Sequence, residues 1–174
     1  MLVAMRDMQI HRGPDEASHF IDGNVGLGHR RLSIIDLSSG QQPMTNEDGS
    51  LWIVYNGEVY NFPALREELI KKGHVLKSHC DTEVILHLYA DRGMDMLKDL
   101  RGMYAFGLWD PRRRGLWLVR DSFGIKPLYF SDDGGTIRFA SQVKALLASG
   151  KVDRKPDHAG HVGFFVWGSV PEPR

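Results

Sequence analysis

With 174 residues, 42% apolar and 25% charged, the chain has the length and composition of one globular domain rather than two. Its 22 Lys and Arg balance 22 Asp and Glu, so no global charge draws it to nucleic acid or to an anionic membrane. A single cysteine, Cys80, excludes an internal disulfide and fits a reducing, cytoplasmic compartment, and no apolar run is long enough to span a bilayer.

The first residues, Met1 to Ile10, place Leu2, Met5 and Met8 on one side, as in the tail end of a helix. Arg6 and Asp7 interrupt any resemblance to a secretory leader, and Gly13-Pro14 ends the segment. Ser18–Ile21 and Val25–His29 flank Asp22-Gly23-Asn24, a hairpin pattern. Strands are expected over Leu32–Ile35 and Leu51–Tyr55. Asn61 is placed to cap a helix through Leu65, Leu69 and Ile70 that stops at Gly73. A short strand is expected over His74–Lys77. Asp81 is then placed to cap a second helix, Glu83–Ala90, with Val84, Ile85, Leu88 and Tyr89 turned inward. Gly93–Leu100 reads as a short third helix.

After that the period changes to two. Met103–Trp109, Gly115–Arg120, Leu128–Ser131 and Ile137–Ser141 read as successive strands, divided by polar turns at Asp110–Arg114 and Asp132–Gly135. Val143–Leu147 is a helix, and the tail beyond Gly150 is basic and proline-bearing. Clustered helices and antiparallel strands favour a layered α+β fold over a doubly wound parallel sheet.

Most of the reactive side chains have an ordinary explanation. Arg112-Arg113-Arg114 reads as a solvated turn, and the glycines at 23, 26 and 28 do not make a dinucleotide fingerprint. The eight histidines show no metal-ligand spacing; His29, His79 and His87 fall on different elements, so no metal site is expected. Cys80 precedes a helix N-terminus, which would lower its pKa, but Asp81 beside it would raise it, and it reads as structural. Asn56-Gly57 at a strand end is either a turn or, with a side-chain amide and a free glycine N–H, an oxyanion hole. By spacing alone Arg31 and Asp81 read as surface charges; facing one pocket, they would clamp the α-carboxylate and α-ammonium of an amino acid.

Seven segments in order carry more weight together: HRGPD (11–15), GHRRLSIIDL (28–37), GQQPM (40–44), YNGEVYN (55–61), DTEVILHLY (81–89), RGMYAFGLWD (101–110) and RDSFGIKPLY (120–129). From His11 to the VPEP near the C-terminus the chain resembles the N-terminal glutaminase domain of glutamine-hydrolysing asparagine synthetases, the class II glutamine amidotransferases. His29-Arg30-Arg31-Leu32 favours this branch over amidotransferases that resemble H-T-R-W or H-T-R-Y there.

The resemblance implies the N-terminal-nucleophile hydrolase fold, an αββα sandwich of two antiparallel sheets. It implies hydrolysis of glutamine to glutamate and ammonia, which passes through an internal tunnel to a second domain where ATP and aspartate form β-aspartyl-AMP. By matched position, Arg31 binds the glutamine α-carboxylate, Glu58 and Asp81 hold its amine, and Asn56 with Gly57 forms the oxyanion hole. The amidotransferase domain would occupy residues 1–150, with 151–174 an exit segment toward an ATP-dependent synthetase domain. No cofactor is expected in this domain; ATP and magnesium belong to the synthetase domain. The expected partners are glutamine, that domain and, for full-length relatives, a second copy in a homodimer; nucleic acid and membrane are not expected.

One departure matters. The family's nucleophile is a cysteine at the first position, whose own α-amine serves as base. Here positions 1 and 2 are Met and Leu, the opening strand with Cys-Gly-Ile at its head is absent, and internal Cys80 offers no free amine. The chain as given is therefore expected to be inactive as a glutaminase, with a gap in one sheet. Either the start is truncated or glutaminase activity has been lost and the domain serves as a scaffold; the intact ligand set favours truncation.

Overall fold

The computed structural model describes residues 1–32 and 40–170. In chain order the elements are α1 (Leu2–Asp7), β1 (Glu16–Asp22), β2 (Val25–Arg31), β3 (Met44–Thr45), β4 (Trp52–Val59), α2 (Phe62–Lys71), α3 (Asp81–Arg92), a 3₁₀ helix (Gly93–Lys98), β5 (Gly102–Asp110), β6 (Gly115–Arg120), β7 (Tyr129–Asp132), β8 (Ile137–Ala140), α4 (Val143–Leu147) and α5 (His158–Trp167). A central antiparallel sheet runs β3-β4-β5-β6, and two further antiparallel hairpins pair β1 with β2 and β7 with β8.

Alternation along β4 decides what covers each face of the central sheet. Ile53, Tyr55 and Val59 share one core with Phe106 and Leu108 of β5 and with Leu65 and Leu69 of α2 and Val84, Ile85 and Leu88 of α3. The opposite face, with Val54 and Trp109, packs against Leu27 of β2 and against Phe20, Val25 and Phe139. Phe20 stacks on Trp52 with ring centroids 3.8 Å apart. Trp109 Nε1 donates to Asp22 Oδ2 at 3.0 Å, tying β1 down at its far end. β8 crosses β5 where Gly107 leaves room: a side chain there would put its Cβ 2.5 Å from the Phe139 ring. Outside the two hairpins, Met5 of α1 and Ala145 and Leu146 of α4 close a small core on Ala140. The layers are helix, sheet, hairpin pair, helix, which is the αββα order expected.

The hairpin, both longer helices and most of the strands fall where the pattern places them. The strand expected over His74–Lys77 does not form; that segment pairs with no other strand among the described residues. Side chains take the bonds a neighbouring strand would have made: Glu47 accepts from Val75 N–H at 2.7 Å and Glu83 from Lys77 N–H at 2.8 Å. Neither expected cap works as a cap. Asn61 bridges the Asp99 carbonyl and the Arg101 N–H instead, and Cys80, not Asp81, holds the N-cap position of α3. From residue 33 onward the strand expected over Leu32–Ile35 lies outside the described residues. Helix α5 was not expected; Asp157 caps it by accepting from Ala159 N–H at 3.1 Å, and Gly168 ends it in the left-handed conformation.

Asp121 organises the RDSFGIKPLY segment. Its carboxylate accepts backbone N–H bonds from Phe123, Ile125 and Lys126 and from Tyr104 of β5. Burial pushes this carboxyl upward, but those four N–H donors outweigh it and hold its pKa below the usual carboxylate value.

Candidate active site

Beyond Ile53, β4 has β5 on one side and, among the described residues, no strand on the other. That bare edge builds the site. Tyr55 N–H donates to the Gln42 side-chain oxygen at 2.6 Å, and Val59 N–H donates to Asp81 Oδ2 at 2.9 Å. Gly57 lies midway between these two. Its cross-strand partner Tyr104 turns both backbone groups to Asp121, accepting at 2.7 Å and donating at 3.3 Å. The Gly57 N–H therefore faces the bare edge as well. Glycine is required there for space: a Cβ would stand 2.6 Å from Tyr104 Cα.

Asn56 and Glu58 share one face of β4, the face turned toward the hairpins. Asn56 Nδ2 is buried and makes no hydrogen bond. A buried donor without an acceptor is costly in a folded protein unless something else is meant to fill it. Glu58 is exposed on the same strand. Arg31, at the end of β2, is buried at 7% exposure and pairs with Glu16 of β1, Nη1 to Oε1 3.3 Å.

Asp81 stands in the first turn of α3 and reaches back to β4, accepting from the Tyr55 hydroxyl at 2.6 Å as well as from Val59. Burial first, and the Asp81 carboxylate second, raise the Tyr55 pKa far above that of a free phenol, so its hydroxyl stays a donor. His29 lies one alternation before Arg31. Burial lowers its pKa to about 4 despite a hydrogen bond to the Tyr55 backbone, so it is a neutral ring at pH 7.

Arg31, Asn56, Gly57, Glu58 and Asp81 all line a single cleft of about 1150 Å³. The cleft runs between the two hairpins: β2 forms one wall, residues 136–141 the other, and Val54, Ala105 and Gly107 of the central sheet line it as well. The hairpins are not paired to each other among the described residues. Cys80 also borders the cleft, yet its thiol is raised by burial and is held near Ser78 Oγ at 3.0 Å. Gln42 and Tyr55 are not candidates from the sequence, and His29 is weighed there only as a metal ligand and as part of the His29–Leu32 signature. Tyr55 lies in YNGEVYN and Gln42 in GQQPM, and the role of each rests on the bare edge of β4.

Arg112 and Arg113 are exposed beside buried Asp110, which accepts from the backbone N–H of each, so the arginine run is anchored to the hairpin turn between β5 and β6.

The αββα sandwich of antiparallel sheets is the fold of the N-terminal-nucleophile hydrolases. A solved structure of glutamine phosphoribosylpyrophosphate amidotransferase from B. subtilis shares the fold, with TM-score 0.59 and 26% identity over 72% of this chain and 29% of that one. The glutamine amidotransferase domain family matches residues 1–174, and the chain belongs to it. Asparagine synthetase [glutamine-hydrolyzing] 1 of Bacillus subtilis is 42% identical over 173 residues, 99% of this chain and 27% of that protein. Asparagine synthetase [glutamine-hydrolyzing] 3 of Arabidopsis thaliana is 44% identical over 137 residues, 78% of this chain and 23% of that protein. Amidase chyE of Penicillium rubens is 41% identical over 145 residues, 83% of this chain and 21% of that protein. The chain spans about a quarter of the length of these relatives.

Proposed function

We propose that the cleft binds L-glutamine and that the domain releases ammonia from it for an ATP-dependent synthetase domain that makes asparagine from aspartate. Arg31 takes the α-carboxylate, Glu58 and Asp81 take the α-ammonium, and Asn56 Nδ2 with the Gly57 N–H receives the oxygen that becomes negative as the side-chain amide is attacked. The observation that carries this reading is the buried, unbonded Asn56 Nδ2, on the residue that precedes Gly57 and in one cleft with the arginine and the carboxylates. A donor held in place before the reaction needs no reorganisation when charge develops.

The nucleophile in this proposal is a cysteine heading an opening strand that fits between β2 and β8. Cys80 does not serve: it is internal, has no α-amine to act as base, and burial disfavours its thiolate. The 174 residues alone are therefore expected to bind glutamine without hydrolysing it. Residues 1–150 act as the amidotransferase unit and 151–174 as the exit toward the synthetase domain. The exposure of Phe165 at 85% and Trp167 at 75% on α5 supports that reading, since a neighbouring domain would cover them. ATP and magnesium belong to that neighbour, the full protein works in the cytoplasm as a homodimer, and neither nucleic acid nor membrane takes part.

The test is ammonia release from glutamine by the chain preceded by a Cys-headed opening strand. Turnover is expected in the extended protein and not in the 174 residues, and Asn56→Ala should lower it by about 100-fold or more. Turnover by the unextended chain, or an Asn56→Ala variant as active as its parent, overturns the proposal.

A further inference from the structure

Away from the cleft, Glu47, His74 and His87 meet at one point. They come from the turn before β4, the segment after α2, and the middle of α3. One ligand atom of each lies within 4.8 Å of the others. His74 Nδ1 is 3.1 Å from His87 Nδ1, and His87 Nδ1 is 3.7 Å from Glu47 Oε1. In a tetrahedral site with bonds of about 2.0–2.1 Å, neighbouring ligand atoms stand about 3.3 Å apart. The two separations bracket that spacing. We propose that Glu47, His74 and His87 form a three-ligand site for a zinc-class divalent cation, with a fourth position open to water.

The side chains suit that use. The two imidazole planes are 88° apart, so the rings do not stack and present their Nδ1 atoms to each other edge-on. His87 is 2% exposed, so its ring is held in place by the packing around it. Its far nitrogen, Nε2, is buried without a hydrogen bond and lies 3.8 Å from Glu83 Oε1. With Nδ1 on a cation, Nε2 must carry the proton and face that carboxylate, the usual complement behind a metal-bound histidine. Without a cation, the Nδ1 contact obliges one ring to donate and the other to accept. Glu47 is oriented by the Val75 N–H at 2.7 Å, and its side chain is 42% exposed, which leaves an entry path. Two imidazoles and one carboxylate suit zinc better than magnesium or calcium, which prefer oxygen alone.

Such a cation would pin the 46–50 turn and the unladdered 74–77 segment onto α3. Glu83, behind His87, also accepts from Ser78 N–H and Ser78 Oγ at 2.6 Å each. The same contacts thus brace the stretch that leads into Asp81.

The test is zinc titration of the chelator-treated whole chain, read by calorimetry and by melting temperature, with magnesium as the comparison. One zinc per chain is expected, with a melting temperature that climbs as free zinc rises and does not respond to magnesium. A cobalt-loaded sample should show the intense visible absorption of a four-coordinate ion. His74→Ala should abolish binding, Glu47→Gln should weaken it at least about tenfold, and Cys80→Ser should leave it intact. Both ligand variants alter partly exposed side chains, and circular dichroism verifies their fold; if His74→Ala unfolds, Glu47→Gln decides. The proposal is overturned if zinc binds no better than magnesium, if folded ligand variants bind as tightly as the parent, or if Cys80→Ser removes the site.

Discussion

The Tyr55 hydroxyl donates to Asp81 Oδ2 at 2.6 Å, joining the central strand β4 to the first turn of α3. Asp81 also accepts the Val59 N–H, so its carboxylate is held by two donors 22 and 26 residues earlier in the chain. This fixes a carboxylate in the lining of the cleft, and in the proposed glutamine site it would lower the ordering cost of binding.

Tyr55→Phe removes one of those donors and leaves the ring. The variant should lose about 1 kcal/mol of stability in urea denaturation, and its affinity for glutamine should fall by about five- to tenfold in calorimetry. An unchanged affinity would mean that Asp81 needs no help from Tyr55.

Gly57→Ala should be far more damaging than its size implies. The added methyl would meet backbone atoms of Met103 and Tyr104, which belong to the neighbouring strand and cannot rotate away. The loss should be about 3 kcal/mol or more, measured as a shift in the denaturation midpoint, or the protein should fail to fold.

Acid should destabilise the fold before the carboxylates titrate. His29 has its pKa lowered from 6.5 to about 4 in the folded state, so the unfolded chain takes up a proton that the folded one refuses. Stability from this group is complete above about pH 6.5 and is lost as pH falls toward 4, on the order of 2–3 kcal/mol. Burial of His87 acts in the same direction. Denaturation midpoints measured from pH 7.5 to 4.5 should fall, and His29→Gln should flatten part of that slope.

Cys80 should be a sluggish thiol. Burial raises its pKa, so little thiolate exists at neutral pH. Reaction with a thiol-specific disulfide reagent at pH 7.5 should be at least about tenfold slower in the folded protein than in urea. Cys80→Ser should bind glutamine as the parent does.

Regular elements with strong periodicity were legible in the sequence: Val84, Ile85, Leu88 and Tyr89 of α3 are buried as their spacing requires, and the β1–β2 hairpin turns where Asp22-Gly23-Asn24 places it. What escaped was decided by side chains from distant segments. Glu47 and Glu83 take the N–H groups of Val75 and Lys77, so a β-like stretch gains no ladder. Asn61 sits at the N-cap of α2 and Asp81 one residue past the N-cap of α3, and both side chains are drawn into tertiary bonds instead. Helix α5 carried its signals in Asp157 and Gly168, masked by two internal glycines and a run of β-branched and aromatic residues of low helix propensity. At the site, Arg31, Asn56, Gly57, Glu58 and Asp81 were named through family resemblance, because spacing alone left Arg31 and Asp81 as surface charges. The supporting Gln42, Tyr55 and His29 act through the bare edge of β4, a property of the sheet that no local pattern encodes.

In the proposed site, polar groups from β2, β4 and α3 form one seat for a free amino acid. Calorimetric titration with L-glutamine tests it most directly, run on the parent chain and on Arg31→Lys and Asp81→Asn variants whose melting curves show an intact fold. One saturable site is expected, which rejects D-glutamine and is weakened at least about tenfold in each variant. Absence of binding to a folded parent chain, or binding that both variants retain in full, would contradict it.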